Sequence, residues 1–331
     1  MGPVLRSRRS PTAATAGPEW GEASMFGKLK DLFGPKKAGA APKPPAAPKP
    51  AARPKPRRVN IERRFQIIAE TGQGSMSRVY KALDKEAGRT VCLKVQDLAK
   101  ATAAGARATQ EGRLTEGEIG LKIVHPRVVK TYEWGLTPKG GQFVVMEFIE
   151  GVSLLFIRQS RVLDLAAKLD FLIQTAEGLA AIHAAGFIHH DFGPKNVLVD
   201  RNDQVKIIDF GLAIPNTPAF RKPGNRTGTL QYMAPELLRR EPKDERIDIF
   251  SFGATAFEFL TGRLPYDATE AMAMLRQRIN TDPMDIAQVA PHLPDDLCAV
   301  IRKALTRRKE DRWPAMPQVV EALKGLEIAG R

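Results

Sequence analysis

HHDFGPKN, from His189 to Asn196, and DFG, from Asp209 to Gly211, decide how this chain is read. Asn196 follows Asp191 by five residues, and Asp209 follows Asn196 by thirteen. The run VKII, Val205 to Ile208, leads into the second string as a short strand would. Phe192 and Gly193 spell DFG once more directly after Asp191, but no strand precedes that copy. GTLQYMAPE, Gly228 to Glu236, closes the segment. An Asp or an Asn in a turn says little alone; the ordered set is informative.

Working outward, the texture on the two sides differs. Upstream, FQIIAETG (Phe65 to Gly72), RVYKALD (Arg78 to Asp84) and TVCLKV (Thr90 to Val95) alternate as strands around glycine turns. Residues 107–124 carry a helical pattern, and 128–133 and 143–148 read as two further strands. Downstream of Leu163 the apolar period is helical over 163–185, 245–261, 268–279, 294–305 and 316–326. The fold class expected is α+β, a small antiparallel-sheet lobe with one helix followed by a larger helical lobe.

The whole set resembles a eukaryotic-type serine/threonine protein kinase of bacterial kind, over about residues 65–325. The resemblance implies a two-lobed fold and ATP- and Mg²⁺-dependent transfer of the γ-phosphoryl group to protein hydroxyls, autophosphorylation included. Asp191 is then the carboxylate that orients the accepting hydroxyl, and Asn196 and Asp209 are oxygen ligands to Mg²⁺. Lys94, in VCLK, contacts the α- and β-phosphates. Its helix partner is Glu116, nine residues before His125-Pro126, with Glu111 and Glu118 as competitors. GQGSMSRV, Gly72 to Val79, matches the glycine-rich loop through Gly72, Gly74 and Val79. VVMEFIEG, Val144 to Gly151, resembles the interlobe hinge, with Met146 guarding the back pocket. The Glu147 carbonyl and the Ile149 N–H then read the adenine edge, and Val79, Cys92 and Leu198 sandwich the ring. Asp248 resembles the carboxylate that braces the catalytic loop. Glu236 and Arg312 match the buried ion pair of the large lobe.

Several positions depart from the family pattern. Ser77 stands at the third glycine. Gly120 stands where a larger apolar residue is usual, so looser packing of its helix is expected. Gly193 replaces a lysine, and Lys195, four residues after Asp191, is the cation left to reach the γ-phosphate. Cys92 replaces an alanine and shares a strand face with Lys94. His190 replaces the arginine that commonly binds an activation-segment phosphate. An ordinary histidine, with a pKa of about 6.5, offers no permanent cation. Activity is therefore expected to depend little on phosphate at Thr217, Thr227 or Thr229.

The chain has 331 residues and a formal net charge of +14. Residues 1–58 hold 13 basic and 3 acidic residues, the remainder 38 and 34, so the basicity belongs to an N-terminal arm and argues against a nucleic-acid partner. The expected divisions are an arm over 1–58, an N-lobe over 59–149, a C-lobe over 150–326 and a tail over 327–331. Residues 36–58 read as an extended Pro/Ala/basic spacer with overlapping PxxP patterns at Pro42, Pro45 and Pro48. Residues 25–34, MFGKLKDLFG, form a short amphipathic segment that fits a partner or a membrane surface. Met25 stays open as an alternative start. Two cysteines, no apolar run of membrane-spanning length and no secretory h-region point to the cytoplasm. Two other classes fit less well. A small-molecule phosphotransferase shares HxDxxxxN, but generally lacks the GTLQYMAPE and Asp248 features. A kinase-fold scaffold would be favoured by loss of Lys94, Asp191 or Asp209, and all three are present.

Overall fold

The computed structural model describes residues 56–73, 77–96, 113–224 and 227–327. The readings made on the arm, including residues 25–34 and the PxxP patterns, lie outside them.

Five antiparallel strands form the first sheet: β1 (Phe65–Gln73), β2 (Ser77–Asp84), β3 (Arg89–Gln96), β4 (Thr131–Leu136) and β5 (Gln142–Glu147), in the order β1-β2-β3-β5-β4. Alternation sends Val91 and Leu93 of β3, with Phe143 and Val145 of β5, to one face, where Phe65 and Ala82 complete a small core. The Phe65 and Phe143 rings meet edge to face at 6.4 Å. The opposite face carries Cys92, Val144 and Met146 toward the main core. The β2–β3 turn is fixed by Asp84, whose carboxylate accepts from the Glu86 and Ala87 N–H groups, and by Gly88 at φ +65°.

The chain enters this sheet under tight control. Val59 N donates to Leu136 O at 2.8 Å, and Leu136 N to Arg57 O at 2.9 Å. Gly135 permits this approach, since a Cβ there would lie 2.7 Å from Arg57 O. A helical turn, α1 (Ile61–Arg64), then presents Arg64 to Asp84 through two bonds of 3.0 and 2.8 Å and to Glu133 at 2.8 Å.

Two expectations need correction here. The strand expected over 128–133 begins at Thr131; Val128 and Val129 are both buried and turn to the C-lobe, Val128 bridging Ile207. The helix expected over 107–124 covers, among the described residues, only α2 (Glu116–Gly120). It starts at Thr115, whose hydroxyl accepts from Glu118 N while the Glu118 carboxylate accepts from Thr115 N. Residues 107–112 lie outside the described residues.

Nor is α2 loosely packed. A Cβ at Gly117 would overlap the Trp134 side chain, and one at Gly120 would overlap the Thr131 hydroxyl. Both glycines let the helix backbone press directly on β4.

The larger lobe is helical: α3 (Leu154–Ser160), α4 (Leu165–Ala184), α5 (Pro235–Arg239), α6 (Arg246–Thr261), α7 (Ala271–Asn280), α8 (Ile286–Val289), α9 (Asp295–Ala304) and α10 (Met316–Lys324). Helix α6 is buried from Ile247 to Leu260, as its near-continuous apolar sequence requires. Arg312 grips Glu236 through two bonds of 2.6 and 2.7 Å, with both side chains buried, and its remaining donors meet the carbonyls of Thr306, Arg307 and Arg246. Short strands β6 (Gly151–Ser153), β7 (Phe187–Ile188), β8 (Val197–Asp200), β9 (Val205–Ile207) and β10 (Ile214–Pro215) lie on this lobe. β6-β8-β9 form one sheet and β7-β10 another, so the 189–196 loop and Asp209 both leave strand ends. Among the described residues no helix is long and apolar enough to cross a membrane.

Candidate active site

Strand β3 delivers Lys94 to the space between the lobes. Its Nζ lies 2.8 Å from Glu116 Oε1 and 2.8 Å from Asp209 Oδ1. Burial works against the ammonium, but the two carboxylates outweigh it and hold Lys94 well above its ordinary range. Asp209 is held below the usual carboxylate range: burial opposes the charge, and Lys94 and the Gly211 N–H at 3.0 Å overcome it. Burial pushes Glu116 up, against the pull of Lys94. Of the three competitors, Glu116 meets the lysine, Glu118 is spent on the helix cap, and Glu111 lies outside the described residues.

Asp209 sits at φ 68°, an unusual setting for a non-glycine residue. That backbone turn aims its carboxylate at Lys94 while Phe210 is buried. The Phe210 ring lies 5.8 Å from the His189 ring, which also meets Phe192 edge-on at 5.8 Å. His189 Nε2 pairs with Ile208 O at 3.1 Å and ties the two strings together.

The loop carrying Asp191 hangs from one buried carboxylate. Asp248 Oδ2 accepts from His189 N at 2.7 Å and pairs with His183 Nε2 at 2.9 Å; its Oδ1 accepts from His190 N at 2.9 Å. Burial resists the charge on Asp248, yet these partners hold it below its ordinary value. His190, at φ 70°, makes the turn that lets both amides face one acid. Asn196 Nδ2 donates to the Asp191 carbonyl at 2.8 Å, which leaves its Oδ1 for another partner. Asp191 Oδ1 accepts from Thr229 N at 2.7 Å and Thr229 Oγ1 at 3.0 Å.

The segment after Thr229 is anchored from beneath. Arg278, buried, donates to Leu230 O at 2.7 Å and Met233 O at 3.1 Å, and Ser251 Oγ donates to Tyr232 O at 2.8 Å. Tyr232 OH donates to Glu258 at 2.6 Å.

At the other end of the cleft, Met146 lies opposite Cys92 on β3 and Thr131 on β4. The Glu147 carboxylate ties the end of β5 to the residue before β4 and to β9, accepting from Lys130 N and Lys206 Nζ at 2.8 Å each. Val79, Cys92, Ile149 and Leu198 are all half-buried, and Gly72, one residue before the end of β1, pairs with Val79. Gly74 lies outside the described residues. Lys195 is exposed on the single turn Pro194–Asn196. Burial pushes the Cys92 thiol up to about 11, only partly offset by Lys94. Cys298 is fully buried in α9.

Sequence reasoning missed His183, Arg278 and Lys243. His183 has a signal, a histidine in the last turn of the helix that leads into HHDFG. Arg278 and Lys243 have none, because a cation on an amphipathic helix or in a charge run reads as solvated.

The sequence profile of the protein kinase domain family matches residues 65–322, and the chain belongs to that family. Among curated proteins it is 31% identical over 256 residues to the probable serine/threonine-protein kinase pknA2 of Bifidobacterium longum, covering 77% of this chain and 34% of that one. It is 31% identical over 282 residues to the serine/threonine-protein kinase pkn2 of Myxococcus xanthus (81% and 33%). It is 30% identical over 263 residues to the serine/threonine-protein kinase PknB of Mycobacterium tuberculosis (76% and 41%). The chain thus spans between a third and two-fifths of the length of these relatives.

Proposed function

We propose that the chain transfers the γ-phosphoryl group of ATP to serine and threonine hydroxyls of proteins. One observation carries the reading: Lys94 is held at 2.8 Å by both Glu116 and Asp209, while Asp191 hangs from the Asp248 brace. That is a charged cleft assembled before any substrate arrives, as electrostatic catalysis of phosphoryl transfer requires.

Lys94 then neutralises α- and β-phosphate oxygens. Asp191 orients the accepting hydroxyl and receives its proton, in the position where it now accepts from Thr229. Lys195, exposed beside it, reaches toward the γ-phosphate. The adenine lies between Val79 and Cys92 on one side and Leu198 on the other, with the Glu147 carbonyl and Ile149 N–H at its edge. Gly72 and Gly74 bring backbone toward the phosphates.

The donor set fits a hard divalent cation. Asp209 keeps Oδ2 free of the bonds to Lys94 and Gly211, and Asn196 keeps Oδ1. Among the described residues no group of three or more His, Cys, Asp and Glu would hold a metal unaided, so the remaining ligands must be phosphate oxygens and water. When bound there, Mg²⁺ supplies charge neutralisation of the phosphates. A protein substrate is favoured because Leu230–Met233 is pinned by Arg278 and Ser251 into a fixed ledge beside Asp191. Cytoplasmic location rests on the two free thiols.

Incubation with labelled ATP and Mg²⁺, followed by phosphosite mapping, tests this. Label on Ser/Thr of a generic protein substrate that disappears in Asp191→Asn is expected. Equal labelling by Asp191→Asn, or label confined to small molecules, would overturn it.

A further inference from the structure

Gly117 and Gly120 stand three apart on α2, so they share one face of that helix. Trp134 fills the space against the first and Thr131 the space against the second, and these two also stand three apart, on β4. A regular strand would send such a pair to opposite faces, because its side chains alternate. Here they share a face. Thr131 pairs with Met146 of β5, while Glu133 pairs with Val145 and Trp134 with Val144, so Tyr132 is an extra residue left over in β4. This β-bulge is what lets one strand serve both glycines.

The bulge also turns two successive residues, Tyr132 and Glu133, to the opposite face. Tyr132 packs on the small core, and Glu133 opposes Val145 of that core. Each is met by a cation. The Arg89 guanidinium lies 3.6 Å over the Tyr132 ring. Arg64 Nη1 lies 2.8 Å from Glu133 Oε2. Arg64 is buried, and its Nε and Nη2 hold Asp84 at 3.0 and 2.8 Å. One guanidinium thus spans the turn that leads into β3, the strand of Lys94, and the bulge that seats α2, the helix of Glu116. A planar fork of donors can hold both acids at once; a single ammonium is a point charge.

These ties come from residues ahead of Phe65, where the kinase domain begins. The same segment holds the far end of β4, since Leu136 N donates to Arg57 O and Leu136 O accepts from Val59 N. Residues 57–64 therefore grip β4 both at its bulge and at its end.

We propose that Arg64 is a positioning residue for phosphoryl transfer: through Glu133 and the β4 bulge it seats α2 so that Glu116 stays on Lys94. The inference rests on the role given to Lys94 and Glu116 above. Arg64 touches no reacting atom and acts by fixing register. If the bulge slips by one residue, Thr131 and Trp134 no longer both face α2, and the helix loses its seat. Glu116 then leaves Lys94 to Asp209 alone, the carboxylate assigned to the metal.

Glu133→Met and Arg64→Lys in the full chain test this, with Glu116→Gln alone and combined with Glu133→Met. Each is assayed on a peptide substrate below its melting temperature, and hydrogen exchange is followed by mass spectrometry. Glu133→Met is expected to lower kcat roughly tenfold, the size of a coupling between contacting groups, with the KM for peptide unchanged. Amides of α2 are expected to exchange faster while those of α9 keep the parent rate. In the Glu116→Gln background the same substitution should change kcat by less than about twofold, since the pair it protects is already gone. Arg64→Lys should match Glu133→Met. Asp84 is buried and Glu133 partly exposed, so Glu133→Met keeps the test available if Arg64→Lys does not fold. Three results overturn the proposal: an equal loss of kcat with and without Glu116, which marks a merely structural role; parental exchange of α2 in Glu133→Met; or a folded Arg64→Lys with parental kcat. A parent without turnover would break the kinase reading, and the exchange of α2 would then decide this one alone.

Discussion

Two corners of the cleft handle buried charge in opposite ways. Around Lys94, one ammonium meets two carboxylates at 2.8 Å each. Around His190, two cations press on a neutral ring and the local acid is already committed. The first corner is complete without ligand and its lysine is stabilised in the charged form. In the second, burial and neighbouring positive charge hold the imidazole in its neutral form. A buried cation between two carboxylates is held charged, whereas a buried imidazole among cations is held neutral.

The strongest way to break this contrast is at the finished corner. Lys94→Ala is expected to lower turnover by on the order of a thousandfold or more, because it removes preorganised charge from the reacting phosphates. Steady-state kinetics with a peptide substrate reads it, and residual turnover within tenfold of the parent would show that the carboxylate-held lysine is not part of the chemistry.

Next in size is a second partnered cation, Arg312. Arg312→Met leaves Glu236 buried without its counter-charge and should cost about 3–5 kcal/mol in denaturant unfolding. Lys243→Met, which removes a cation bonded to a neutral carbonyl and not to a carboxylate, should cost far less. Equal losses for the two would erase the distinction drawn here.

The third test uses pH. His190 has a folded pKa of about 4 against an ordinary value of about 6.5, so between these limits the unfolded chain binds the proton first. Stability contributed by keeping the ring neutral is therefore present above about pH 6.5 and lost progressively as pH falls toward 4. His190→Asn, a residue that accepts the left-handed φ, should flatten that slope by on the order of 2 kcal/mol. Parallel slopes for parent and variant over pH 4–7 would exclude His190 as the buried neutral group.

The smallest effect concerns Cys92. Its raised pKa, about 11, makes ordinary alkylation at neutral pH slow. An ATP-site ligand bearing an electrophile should still label it, and saturating ATP should slow that labelling. Cys298, fully buried, should stay unlabelled in native protein with or without nucleotide. Unprotected labelling of Cys92 would move the nucleotide away from β3.

Much of the finished corner was legible in the sequence because its residues form an ordered string: Lys94, Glu116, Asp191, Asn196 and Asp209 each stand at a spacing set by strand and loop lengths. The helical lobe was legible because the apolar period alone defines it. The misreadings lie where tertiary contact overrides local pattern. Val128 and Val129 look like strand residues, but both are buried and Val128 bridges toward the C-lobe instead. The start of α2 is set by a capping box, not by the apolar period that suggested a longer helix. Lys243 sits in RREPKDER, a charge run that reads as solvent-facing; only the fold of residues 221–224 over it makes it buried. No spacing rule announces a cation that the chain covers with its own carbonyl.

The glycines of α2 have a historical consequence. Gly117 is filled by Trp134 and Gly120 by the Thr131 hydroxyl, so each helix position is interlocked with one on β4. A leucine could not enter at position 120 before Thr131 had shrunk, and a shrunken 131 without the leucine would leave a hole. The two positions can change only as a pair, through an intermediate less stable than either end. A chain with glycine at position 120 is thereby separated from one with a bulky residue there by an intermediate of lower stability.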